Sequence, residues 1–249
     1  NIVCIDNSSE EIDHIYESID FKLFCKDNIK CNKKELFFAG YNALKSVNDG
    51  LVTHLLVYTN KQDTSDIVEK IIKIIIDKNI FENINKDTLY NKSLHSNSNI
   101  NLNNEVDNFK NKTFGIISCV FIFGEGFDLP KLNGIVIGEK MTADIRIVQS
   151  CLRPNRLEEG NPNKKAYIVI PTNINKIDDK IKLVLTEMIK EDTNIIQKIK
   201  FVKTRKGTKI KKKLVNKKVK INNCKESLAR LKLNLYNNGC LGKTLSIED

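Results

Sequence analysis

The sequence predicts an α/β fold in which helices cover both faces of a mainly parallel sheet, followed by a basic helical or linker tail. Short apolar runs without polar alternation are typical of strands buried on both faces. Segments with helical apolar spacing stand between several of these runs, which is the order expected of a parallel sheet with crossover helices. Positive charge is concentrated near one end of the chain, which sets the tail apart from the rest.

Four apolar runs predict the buried strands, and a fifth, shorter strand is expected near Leu89 within the Asn-rich stretch 82–106. In such sheets, functional loops follow the carboxyl ends of strands. The four runs are THLLVYT (53–59), FGIISCVFIF (114–123), GIVIG (134–138) and AYIVIP (166–171).

Helices are predicted where apolar residues recur every three or four positions. The segment 36–48 ends at Gly50, a typical helix stop, and 62–77 places Ile67, Ile71, Ile72 and Ile75 on one face. Further helices are expected at about 142–153, within 180–200 and at 224–239.

Length and charge suggest three regions. The chain has 249 residues and a net charge of +10, but residues 198–220 contain twelve Lys or Arg and no Asp or Glu. Without that segment, 29 basic and 31 acidic residues remain, a net of −2. We expect an N-terminal connecting segment (1–34), the α/β domain (35–197), and a basic linker with a short helical tail (198–249). The basic segment suits sequence-independent phosphate binding or, alternatively, a solvated linker or localisation signal.

The seven cysteines show no CxxC pair and no histidine at metal-ligand spacing, so reduced thiols are expected and no metal site. Cys119, in an apolar run, and Cys151 are expected to pack in the core. No apolar run reaches the roughly 18 residues of a membrane span, so we expect no membrane partner and an intracellular location (cytoplasm, nucleus, or viral factory or virion).

Arginine is used sparingly and in one place. Of five arginines among 41 basic residues, three fall within residues 146–156, around the stretch QSCLRPNR. On a helix, Gln149, Arg153 and Arg156 project from one face because they are four and three residues apart. Guanidinium groups bind phosphate oxygens through two parallel hydrogen bonds and stay charged when desolvated. The group therefore suits a phosphate-rich anion; surface ion pairs with Glu158 and Glu159 are the alternative.

A second stretch, GEGFDLP (124–130), follows a predicted strand and ends 19 residues before Gln149. With it, the sequence resembles the second RecA-like domain of superfamily 2 helicases and translocases, most closely large-DNA-virus and restriction-enzyme-like helicases. GEGFDLP resembles their motif V, QSCLRPNR their motif VI, and THLLVYTNKQDTS their motif IV. The resemblance covers roughly residues 35–200 and implies a three-layer RecA-like fold.

The resemblance implies roles for the matching positions. Arg153 and Arg156 would reach the β- and γ-phosphates of ATP, one of them as an arginine finger, with Gln149 beside the phosphate. The predicted ATP-binding residues of motif V are Gly124, Glu125, Gly126 and Asp128. The predicted nucleic-acid-binding residues are Thr59, Asn60, His95 and Ser96. ATP with Mg would be held mainly by a first RecA-like domain, expected upstream in the same polypeptide.

The sequence departs from the family in two places. Leu152 stands where motif VI has a small glycine, and Pro154 separates the arginines, so the helix is expected to end near Arg153. The first domain's phosphate loop and Asp-Glu motif are absent from the chain. The GKT at 242–244 lacks the glycine five residues earlier, where Asn237 stands, and is interpreted as surface chain.

The leading hypothesis is therefore the C-terminal motor domain of an ATP-dependent helicase or translocase acting on DNA or RNA. As half of a motor, the chain alone should not hydrolyse ATP. A non-catalytic nucleic-acid-binding protein that keeps the fold is the main alternative, and a helicase subunit of a restriction-like nuclease is a third.

Overall fold

The computed structural model describes residues 1–7, 9–26, 29–98, 101–120, 129–141, 144–156, 158–172, 179–191 and 199–203. Within these ranges, seven strands form one sheet in the order β3-β4-β2-β5-β6-β1-β7, and every neighbouring pair is parallel. The strands are β1 (Ile2–Asp6), β2 (His54–Tyr58), β3 (Leu89–Leu94), β4 (Phe114–Cys119), β5 (Gly134–Ile137), β6 (Tyr167–Thr172) and β7 (Ile199–Lys203).

Six α-helices lie in the described ranges and cover both faces of the sheet. They are α1 (Glu10–Glu17), α2 (Lys33–Asn48), α3 (Gln62–Asp77), α4 (Leu102–Asn111), α5 (Asp144–Leu152) and α6 (Asp179–Glu191). Buried residues of α1, α2 and α3 pack on one face, and those of α4, α5 and α6 pack on the other. The predicted three-layer α/β architecture is confirmed.

Strand β2 shows why the apolar runs form central strands. Leu55 and Val57 belong to the core under α2 and α3, whereas Leu56 and Tyr58 belong to the core under α5. Successive side chains of a strand point to opposite faces. A strand that is apolar at every position is therefore stable only between two helical layers.

Helix limits follow local capping. The Asn32 side chain accepts a hydrogen bond from the backbone N–H of Glu35 and starts α2, and the left-handed φ of 67° at Gly50 follows its end. Helix α3 has the predicted bounds and buries the four predicted isoleucines.

Two strands of the sheet lie outside the predicted α/β domain 35–197. Strand β1 lies inside the predicted connecting segment 1–34, yet it lies between β6 and β7 in the sheet and pairs with both. Strand β7 lies beyond residue 197 and also replaces the end of the helix predicted within 180–200. Helix α4, in the Asn-rich stretch, was not predicted. The parallel sheet thus runs from Ile2 to Lys203.

The predicted helix at 224–239 and the GKT at 242–244 lie outside the described residues. Among the residues that the structure covers, no helix is both long and apolar enough to cross a membrane. The same residues contain no group of three or more His, Cys, Asp or Glu side chains suited to a metal ion.

Candidate functional site

The carboxyl edge of the sheet brings two predicted nucleic-acid-binding segments into contact. Thr59 and Asn60 follow β2, and His95 and Ser96 follow β3, which is separated from β2 by β4. Gln62, the first residue of α3, donates from Nε2 to the Ser96 Oγ over 3.1 Å and so joins the two loops. Ser96 and Asn60 are exposed at this edge.

Thr59 and Asn60 are both engaged with other parts of the protein. The Thr59 side chain is buried, and its hydroxyl donates to the backbone oxygen of Lys61 over 3.2 Å. The Asn60 backbone N–H donates to Glu139 Oε2 over 2.8 Å, and its side-chain amide donates to the Lys140 carbonyl over 2.8 Å. The loop after β2 is therefore fastened to the loop after β5.

Glu139 is a residue of this edge that the sequence did not reveal. Besides the Asn60 N–H, its Oε2 accepts the hydroxyl of Thr64 over 2.7 Å, in the first turn of α3. A carboxylate is favourable there because the first turn of a helix carries unpaired N–H groups and a partial positive charge. Since its partners lie more than 70 residues away, no local pattern could identify it.

His95 is held by α3 rather than pointing freely outward. Its Nε2 lies 3.3 Å from Asp66 Oδ1, and its backbone N–H donates to Ser98 Oγ over 2.9 Å. The side chain is 13% exposed, compared with 46% for Asp66. The ring can thus present one small surface at the edge, while Ser96 beside it is exposed.

The predicted motif VI arginines lie at the end of α5. The helix ends at Leu152, and Arg153–Asn155 form a 3-10 turn with Pro154 buried, so the predicted helix end near Arg153 is confirmed. Gln149 and Arg156 are exposed and Arg153 is half-buried. Arg156 has an extended backbone, with ψ at 140°, and its N–H donates to the Arg153 carbonyl over 3.2 Å.

The Arg153 charge acts at the carboxyl ends of β2 and β4. Burial raises the pKa of Tyr58 and of Cys119 well above their ordinary values, and in both cases the nearby Arg153 charge opposes the rise. Tyr58 and Cys119 are direct neighbours in the sheet. The guanidinium group therefore lies within electrostatic range of the Tyr58 and Cys119 side chains, which pack in the core under α5.

Two cysteines near the arginines are core residues, as predicted. Cys119 and Cys151 are fully buried in the apolar cluster under α5. Burial raises the pKa of Cys151 to about 12, which keeps its thiol protonated and unreactive at neutral pH.

Lys164 connects the two predicted motifs and was also missed from the sequence. Its Nζ donates to the backbone oxygen of Pro130, the last residue of GEGFDLP, and to that of Arg156 over 2.8 Å. Lys164 lies in the turn before β6, where sequence alone suggests only a surface lysine. The predicted ATP-binding residues Gly124, Glu125, Gly126 and Asp128 lie outside the described residues.

Comparisons with known proteins find similarity in structure only. No protein-family description matches the chain, and no curated protein resembles it in sequence. The ATP-dependent type ISP restriction-modification enzyme LlaBIII, solved bound to DNA, is 15% identical with a TM-score of 0.59. The match covers 94% of this chain but only 16% of that enzyme.

A second solved structure is domain 2 of the DEAD-box helicase Mss116p bound to an RNA duplex. It is 13% identical, with a TM-score of 0.48, over 95% of this chain and 77% of that domain. The similarity to the restriction-modification enzyme and the parallel sheet confirm the RecA-like fold. The chain thus has the fold that the motif resemblance to superfamily 2 helicases implied.

Proposed function

We propose that the chain is the C-terminal motor domain of an ATP-dependent nucleic-acid helicase or translocase. The supporting observation is that described residues on either side of the undescribed stretch 121–128 interact with the predicted motif VI or with a residue bonded to it. Before motif V, the Arg153 charge acts on Cys119, the last residue of β4. At its end, Lys164 holds the Pro130 and Arg156 carbonyls. Pro130 and Arg156, which are far apart in sequence, therefore meet at one surface around Lys164.

The chemistry of this surface suits a nucleoside triphosphate. Arg153 is half-buried beside an apolar core, where a positive charge interacts more strongly with an anion than it would in water. In the proposed motor, Arg153 stabilises negative charge that develops on the transferring phosphoryl group, as an arginine finger does. Arg156 and Gln149, both exposed, would contact the same phosphates. ATP and Mg would be held mainly by a first RecA-like domain, and Gly124, Glu125, Gly126 and Asp128 would complete the site from this side.

The nucleic acid, DNA or RNA, would cross the carboxyl edge of the sheet. Asn60 and Ser96 are exposed there on loops joined through Gln62. His95 and Thr59 would support these loops from below, since the His95 Nε2 lies beside Asp66 and the Thr59 hydroxyl bonds to the Lys61 carbonyl. An intracellular location follows from such a function because both ATP and nucleic acid are found inside cells.

The test is Arg153→Ala in the complete polypeptide that contains this chain. We expect ATP turnover stimulated by nucleic acid to fall on the order of 10³-fold, with ATP binding largely retained, because an arginine finger acts on the transition state. Arg146→Ala, on the same helix but outside the motif, is the matched control. Turnover by Arg153→Ala at the parent rate would show that the finger assignment is wrong.

One observation favours the alternative of a non-catalytic nucleic-acid-binding protein. Leu152, where the family has a glycine, is 41% exposed and lies directly before Arg153. A large apolar side chain there could crowd a bound triphosphate. Two observations on the complete polypeptide would favour this alternative: binding of nucleic acid without ATP hydrolysis, and a complete sequence without a phosphate loop.

A further inference from the structure

Lys164 bridges two segments that the proposed function requires to act together. Its ammonium group donates to the carbonyls of Pro130 and Arg156, which are 26 residues apart in sequence. The side chain is half-buried, whereas that of the next residue, Lys165, is exposed. An ammonium group is strongly hydrated, so removing part of its water is favourable only where the protein supplies acceptors for its donors.

The backbone on each side of the bridge is already fixed. Lys164 stands in a turn in which its own N–H donates to the Asn161 carbonyl over 3.2 Å, and the Asn161 N–H donates to the Glu158 carbonyl over 3.0 Å. On the other side, the Arg156 N–H donates to the Arg153 carbonyl over 3.2 Å. A continuous series of hydrogen bonds thus leads from the turn before β6, through Lys164 and Arg156, to Arg153.

We propose that Lys164 is a positioning residue that sets the place of Arg153 and Arg156 relative to Pro130, the last residue of GEGFDLP. This inference rests on the proposed function. It assigns to Lys164 no contact with ATP; the side chain acts through the two carbonyls it holds. A displacement of about 1 Å at a catalytic group can lower a rate on the order of 100-fold, so the loss of such a bridge should reduce turnover more than binding.

The experiment compares Lys164→Met with Lys165→Met in the complete polypeptide. Methionine keeps much of the apolar stem but cannot donate a hydrogen bond. We expect kcat for ATP to fall roughly 10-fold or more in Lys164→Met, with KM for ATP and the melting temperature nearly unchanged, because transition-state placement is lost rather than ground-state binding. Lys164→Arg should recover part of the loss, and Lys165→Met should equal the parent. Equal kcat in the two methionine variants would overturn the inference.

Hydrogen exchange on the chain itself provides a readout that does not depend on turnover. Lys164→Met should speed amide exchange in peptides covering 129–133 and 153–161, and Lys165→Met should not. If the parent has no ATP turnover, the proposed function fails, while faster exchange would still show that Lys164 holds these two segments together. Unchanged exchange in both segments would overturn the inference whatever the turnover.

Discussion

Replacing His54 with glutamine tests the packing at the start of β2. His54 is 3% exposed; its Nε2 lies 3.0 Å from the Phe109 carbonyl oxygen and its Nδ1 lies 3.2 Å from the Thr53 hydroxyl. Since a carbonyl oxygen only accepts, the ring proton is on Nε2, and the neutral ring satisfies both contacts. Burial lowers the pKa of His54 from 6.5 to about 4, with a further lowering from the charge of Lys131 and an opposing effect of the Phe109 carbonyl.

Because of this lowered pKa, the free energy of unfolding should decrease as the pH falls. In the unfolded chain, His54 takes up a proton as the pH falls below about 6.5, whereas in the folded protein it stays neutral until about pH 4. Protonation therefore stabilises the unfolded state in this window, and stability falls as the pH falls. At 1.36 kcal/mol per pH unit, the loss from this residue is roughly 2 kcal/mol between pH 7 and pH 5 and about 3 kcal/mol by pH 4.

The measurement is urea unfolding of the parent, His54→Gln and the control His14→Gln at pH 7 and pH 5. Glutamine can still donate to the Phe109 carbonyl but does not titrate. His14 is exposed on α1, so His14→Gln is the control for replacing a histidine outside the core. We expect the change in unfolding free energy between the two pH values to be roughly 2 kcal/mol smaller in His54→Gln than in the parent. The same pH dependence in all three proteins would refute the argument.

Three further changes test other parts of the structure. Gly115→Ala should lower the unfolding free energy by roughly 1–3 kcal/mol, measured in urea, because a Cβ there would lie 2.5 Å from the Phe109 ring. Glu139→Gln removes a negative charge beside Asn60 and should tighten nucleic-acid binding about threefold at low salt. The estimate is roughly 0.7 kcal/mol of repulsion between the carboxylate and a phosphate across about 6 Å of water. Equal Kd values for the parent and the variant would contradict it. Deleting residues 204–220, beyond β7, should flatten the slope of log affinity against log salt by roughly 0.7–0.9 per lost phosphate contact, whereas parallel slopes would indicate a solvated linker.

Local patterns predicted the centre of the fold because a strand buried on both faces requires a run of apolar residues, which is visible in the sequence. The run 53–59 contains four consecutive apolar residues, 55–58, and α3 repeats isoleucine at helical spacing, so both elements were assigned correctly. Pro154 likewise determines where α5 ends, since proline disfavours helix at the residue before it. These features depend only on neighbouring residues.

Elements that depend on distant partners could not be predicted in this way. Strand β7, with the sequence IKFVK, carries two lysines among its five residues, and lysine is common on edge strands. Because it lies in a basic segment, the sequence predicts part of a helix and the tail there. Strand β1 has only four apolar residues, and its place in the sheet is decided by pairing with β6 and β7. Helix α4 buries only Val106 and Phe109 among many polar residues, which leaves a weak pattern.

The same difference between local patterns and distant contacts explains which residues of the candidate site could be predicted. Sequence motifs pointed to Arg153 and Asn60, the side chains proposed to meet ligands, but not to Lys164 and Glu139, which bond to these segments through backbone atoms. A backbone carbonyl or N–H carries no residue identity, so its partner cannot be recognised from a motif. Both long side chains nevertheless connect chain segments that adjoin different strands of one sheet. Because each of them joins two segments, a change at either should alter the relative placement of the loops before it alters the fold.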